Sequence, residues 1–88
     1  MNTCFEKSFK KEVKKIIDKK IKTKIKEVIL SVKEAQTIRD IPKLRKMEGY
    51  KIDYRIRVGV YRIGVEIEGD MVTFVTFGHR GNFYRSFP

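Results

Sequence analysis

From Tyr50 to Glu68 apolar and polar residues alternate, and the pattern is interrupted only at Gly59-Val60. A period of two sends successive side chains to opposite faces of a strand. Ile52, Tyr54, Ile56 and Val58 thus share one face, with Lys51, Asp53, Arg55 and Arg57 on the other; Tyr61, Ile63, Val65 and Ile67 then resume the apolar side. A glycine placed first in a two-residue loop suits a type II′ hairpin turn, whose twist matches that of the strands it joins. Gly69-Asp70 repeats the signal. Met71 to Gly78, apolar on both sides, reads as a third strand that is central or covered.

Counting back from the first turn pairs Val58 with Tyr61, Arg57 with Arg62 and Arg55 with Gly64. Like charges set directly opposite one another cost stability in a sheet. Alternation alone fits a solvated face; the Arg57–Arg62 opposition favours a surface that holds an anion. The same count through the second turn pairs Glu68 with Met71 and Arg62 with Phe77, which puts Val75 and Phe77 on the arginine face. Arginines interleaved with an exposed ring suit single-stranded nucleic acid, since guanidinium groups take phosphates and a ring takes a base. Lys51, Arg55, Arg57, Phe77 and Arg85 are the candidate substrate-binding residues.

Upstream, Ser8 to Ala35 contains no glycine or proline, and Phe9, Val13, Ile16, Ile17, Ile21, Ile25, Val28, Ile29 and Val32 recur at helical spacing with lysines between them. One helix of that length would run about 42 Å, against a radius of gyration of about 12 Å for a compact chain of this size. Two antiparallel helices turning near Asp18 to Lys20 are expected, with one long helix as the alternative. Thr37, Asp40 and Pro42 end the helical period, and Gly49 closes the segment. The expected architecture is a single α+β domain over residues 1–88, two N-terminal helices packed on one face of a three- to four-stranded antiparallel sheet.

The 88 residues carry 21 Lys+Arg against 11 Asp+Glu, a formal net charge of +10. That excess favours a polyanion or a strongly acidic protein as partner. A lone Cys4 excludes an internal disulfide and a cysteine metal cluster, and one histidine among scattered carboxylates implies no metal and no cofactor. Neither a signal-type apolar region nor a membrane span is present, so a cytoplasmic protein is expected.

The chain ends GHRGNFYRSFP, with its only histidine, His79, close to Arg80, Tyr84 and Arg85. Cleavage of RNA through its own 2′-OH needs a base for that hydroxyl, cations for the charge building on phosphorus, and an acid for the departing 5′ oxygen. Arginine meets the second need, being permanently charged and bidentate toward phosphate. His79 and Tyr84 are the candidate proton carriers.

The ordered set YRIRVGVYRIGVEI and FGHRGNFYRSFP, preceded by lysine-rich helices and IPKLRKMEGY, resembles the RelE/ParE superfamily of toxin–antitoxin toxins over about Phe9 to Pro88. The resemblance implies a cytoplasmic toxin, neutralised by an acidic antitoxin, whose RelE branch cuts messenger RNA in the ribosomal A site. It also implies functional roles for Arg55, Arg57, Arg62, Arg80 and Tyr84. An arginine holds its proton too tightly to be a good base, which leaves that role open and raises the claim of His79 to it. Arg57, Arg62, Arg80, Tyr84 and His79 are therefore the expected catalytic set. A non-enzymatic gyrase inhibitor of the ParE type and a non-catalytic basic binding domain are the competing readings.

Overall fold

The computed structural model describes residues 1–88. Five strands, β1 (Asn2–Phe5), β2 (Leu44–Lys46), β3 (Asp53–Val58), β4 (Tyr61–Glu68) and β5 (Met71–His79), form one sheet in the order β1-β5-β4-β3-β2. The helices are α1 (Lys7–Lys14), α2 (Lys19–Glu34) and α3 (Arg80–Ser86).

The helical break lies at residues 15–18. The whole molecule measures 33 Å along its longest axis, so an unbroken helix of about 42 Å would leave its apolar stripe hanging in water. Asp18 starts α2 by accepting a hydrogen bond from the Lys20 backbone N–H at 2.8 Å. Ile17, in the break, is 90% exposed. At the far end of α2 the Met1 ammonium donates to the carbonyls of Val32, Lys33 and Ala35, supplying positive charge where the helix dipole favours it.

Both helices lie over the sheet face formed by Ile56 and Val58 of β3, Ile63, Val65 and Ile67 of β4, and Val72, Phe74 and Phe77 of β5, with Phe9, Ile25 and Val32 from the helices closing the core. The Phe9 and Phe5 rings lie 5.3 and 4.9 Å from that of Phe74. Gly59 has φ 60° and Val60 stays outside the left-handed region, as a type II′ turn requires.

The sequence expectation needs four corrections. The sheet is five-stranded and mixed, because β1 pairs with β5 in parallel, and the three-residue β2 extends it beyond β3. Neither short strand has enough alternation to be read from the sequence. Strand β3 begins at Asp53, three residues later than the alternation suggested.

The third correction is a shift of register. Glu68 pairs with Met71 as expected, but a bulge displaces the ladder by one residue near Val75, so that Arg62 faces Gly78 and Ile63 faces Phe77. An extra residue reverses the faces of everything beyond it. Phe77 consequently points into the helix-covered core, 3% exposed and stacked on Tyr61 at 5.0 Å. It offers no ring to a base on the arginine face.

The fourth correction is α3, which packs on the face away from α1 and α2. Its Phe83, with Phe87 just beyond it, is buried, and Phe87 lies directly over Gly64, where a Cβ would come within 2.8 Å of the ring. The signal was an aromatic pair four residues apart, masked by Gly81 inside a short segment.

Candidate functional site

Strand register brings the arginines together. Arg57 lies opposite Arg62, as expected, and β2 adds a second opposition, Arg45 against Arg55. No carboxylate neutralises any of these arginines, since the chain's one ion pair is Lys15–Glu12 at 2.9 Å. Four cations are thus held on the end of one sheet face by backbone pairing alone.

Arg62 is tied to its own hairpin. One terminal nitrogen donates to the carbonyls of Gly59 and Tyr61, each at 2.9 Å. Its Nε is buried with no acceptor, a state that costs about 1–3 kcal/mol for a lost hydrogen bond. The second terminal nitrogen makes no intramolecular hydrogen bond, so it is the donor left for an incoming anion.

The largest concavity, an open cleft of about 530 Å³, lies at this turn end of the sheet. Arg57, Arg62 and Arg80 line it, Arg80 being delivered by the start of α3. Lys24 of α2 and Lys43, which precedes β2, add two more cations. Glu27 is the single carboxylate on its wall, beside Val28 and Ser31. With cations outnumbering the carboxylate five to one, the cleft attracts phosphate oxygens.

The remaining candidates lie outside the cleft. His79 caps α3, its Nδ1 accepting from the Gly81 backbone N–H at 3.1 Å, with its ring edge-on to Tyr61 at 5.7 Å. Accepting at Nδ1 assigns the ring proton to Nε2, and protonating Nδ1 would break the cap. Tyr84 is 50% exposed on α3, its ring packed against Phe83 at 5.0 Å. Lys51 and Arg85 are exposed, and Arg55 is half-buried between Arg45 and Gly64. No three of the His, Cys, Asp and Glu side chains come together as a metal-ligand set.

Sequence reasoning missed Lys24, Glu27, Ser31 and Lys43. The first three lie on one face of α2 at spacings of three and four, which read simply as the polar side of an amphipathic helix. Proximity of α2 to the β3–β4 turn depends on packing across some thirty residues of chain.

The far end of the arginine face has the opposite charge. Glu66 stands opposite Asp53, and its carboxyl titrates above the usual value because of burial first and then repulsion from Asp53, Glu6 and Glu68. One sheet face therefore carries cations at its turn end and carboxylates at the other.

Known proteins are similar to this chain in sequence and in fold. Residues 4–84 match the family described as the ParE toxin of type II toxin-antitoxin systems. Toxin RelE3 of Methanocaldococcus jannaschii is 39% identical over 62 residues, which are 69% of this chain and 70% of that protein. The crystal structure of the RelB-RelE antitoxin-toxin complex from Methanococcus jannaschii has a chain that superposes with a TM-score of 0.80 at 36% identity, covering 97% of this chain and 99% of that one. A chain of the archaeal RelE-RelB complex from Pyrococcus horikoshii has the same fold, with a TM-score of 0.73 at 19% identity and coverage of 91% and 94%.

Proposed function

This chain belongs to the RelE/ParE superfamily of type II toxin–antitoxin toxins, and on that premise we propose that it is an endoribonuclease that cuts messenger RNA in the ribosomal A site by attack of a 2′-OH on the adjacent phosphate. One observation carries the reading: Arg57, Arg62 and Arg80, from three separate elements, converge unpaired on one cleft. Fixed cations around a phosphate stabilise the charge that accumulates as the 2′ oxygen attacks, without reorganising at that moment. The orientation of the Arg62 guanidinium by the Gly59 and Tyr61 carbonyls supports the same reading.

Its protein partner is a cognate antitoxin, as in the RelB complexes of its relatives. The unpaired arginines suit acidic side chains as well as phosphates, so an acidic antitoxin segment would compete with RNA for this surface. Tyr84 and His79, the expected proton carriers, do not line the cleft, and His79 is also needed as a helix cap. No helix is long and apolar enough to cross a membrane.

Induced expression without antitoxin is expected to arrest growth and to leave discrete breaks within translated codons when the 5′ ends of messages are mapped. Arg62→Ala with Arg80→Ala should relieve the arrest; undiminished toxicity would remove the cleft from the mechanism. The family match carries the ParE description, which gives gyrase inhibition a claim of its own. Intact messages together with double-stranded DNA damage would establish that reading, and harmless expression would identify a non-catalytic binding domain.

A further inference from the structure

The proposed cleavage needs a group to remove the 2′-OH proton, and the arginines of the cleft cannot serve, because a guanidinium does not give up its proton in a protein. The other proton carriers are badly placed. His79 has Nδ1 engaged in capping α3 and does not line the cleft, and Tyr84 also stands outside it. Glu27 is the one carboxylate on the cleft wall.

Glu27 has two properties that suit a base. Its carboxylate forms no ion pair, although Lys24, Lys43, Arg57, Arg62 and Arg80 line the same cleft from α2, the segment before β2, β3, β4 and α3. It also sits in the middle of α2, a 16-residue helix anchored in the core by Ile25 and Val32, so its position is set by a rigid element instead of a loop. A lone carboxylate of no use to the site would oppose phosphate binding electrostatically, and lysine fills many other polar positions of this helix.

We propose that Glu27 is the general base of the cleavage reaction, an assignment that rests on the nuclease reading above. The carboxylate takes the proton of the 2′-OH as the 2′ oxygen bonds to phosphorus. The bond from phosphorus to the 5′ oxygen then breaks, leaving a 2′,3′-cyclic phosphate on one fragment. The departing 5′ oxygen takes a proton from water, and Glu27 returns its own to solvent, so the reaction neither gains nor loses protons. The five cations hold the phosphate beside the base.

The test is message cleavage on programmed ribosomes with purified toxin, comparing wild type, Glu27→Gln, Glu27→Asp and Glu34→Gln across a pH series. Glu34 ends the same helix outside the cleft, so its variant controls for loss of one charge. General-base catalysis contributes about 10²–10⁴-fold. Glu27→Gln should therefore lower kcat about 100-fold or more with little change in KM, and should flatten the acid side of the pH profile. Glu27→Asp should recover part of the rate, and Glu34→Gln should match wild type. Antitoxin binding by every variant reports folding.

Cleavage by Glu27→Gln within about threefold of wild type, or a loss confined to KM with the pH profile unchanged, would overturn the assignment and leave the nuclease reading standing. Wild-type toxin that leaves every message intact would overturn both.

Discussion

Gly64→Ala tests how the C-terminal segment is held to the sheet. Gly64 lies between Arg55 and Thr76 in the ladder, and its φ is not in the left-handed region, so alanine introduces no backbone strain. The obstacle is Phe87. A Cβ at residue 64 would sit 2.8 to 2.9 Å from three atoms of the ring, whereas carbon contacts are comfortable at about 3.5–4.0 Å. The ring must withdraw from the sheet by roughly 1 Å, which loosens the packing of the C-terminal segment. Phe87 is 4% exposed, and burial of such a side chain contributes about 1.5–3 kcal/mol. Overpacking by one methyl costs about 1–3 kcal/mol, so either outcome gives a loss near 2 kcal/mol.

At about 4–8 °C per kcal/mol for a domain of this size, Tm should fall by roughly 8–16 °C. Urea denaturation of a four-member cycle with Phe87→Ala isolates the contact. With the ring gone, Gly64→Ala should be neutral or stabilising by about 0.5–1 kcal/mol, because alanine loses less chain entropy than glycine in a strand. The coupling energy should then be about 2–3 kcal/mol. An equal loss from Gly64→Ala in both backgrounds would refute the packing of Phe87 over Gly64, and with it the covering of this face by α3.

Two further outcomes concern titration and capping. Burial and neighbouring carboxylates raise the Glu66 pKa in the folded chain, so its ionised form opposes folding above that raised value, and the opposition disappears below the ordinary value of 4.5. Glu66→Gln should accordingly raise Tm at neutral pH, with the gain shrinking to nothing in acid; a gain that grows in acid would contradict the assignment. At His79, asparagine can keep the N-cap bond and alanine cannot, a difference of about 1 kcal/mol. If His79 acts only as a cap, message cleavage by His79→Asn should equal that of wild type while His79→Ala is less stable; loss of cleavage in both would identify a proton carrier.

The alternation through Gly59 carried a long way by itself. A period of two and one turn glycine set the Arg57–Arg62 opposition, because hairpin register is local and each residue is counted from the turn. Helical spacing likewise gave the break near Asp18, since the length of an unbroken helix is arithmetic. Reasoning from pattern failed where a single residue outside the pattern intervened. The bulge at Val75 reversed the face of Phe77 and took the expected stacking ring into the core. It is the burial of Phe77 beside Tyr61 and Ile63 that selects this register, and that preference is invisible until the helices are packed.

Tertiary structure also decided which candidates meet. Arg57 and Arg62 could be brought together by counting, and Arg80 follows the end of β5 to the same turn, where its N–H donates to the Val60 carbonyl at 2.8 Å; Lys43 reaches the cleft only because β2 pairs with β3, and Lys24 and Glu27 only because α2 packs beside its turn end. Their sequence spacings contain no trace of one another. Local hydrogen-bond periodicity wrote the arginine pair into the chain, while the base proposed to act beside it was supplied by long-range burial of the apolar stripe on α2.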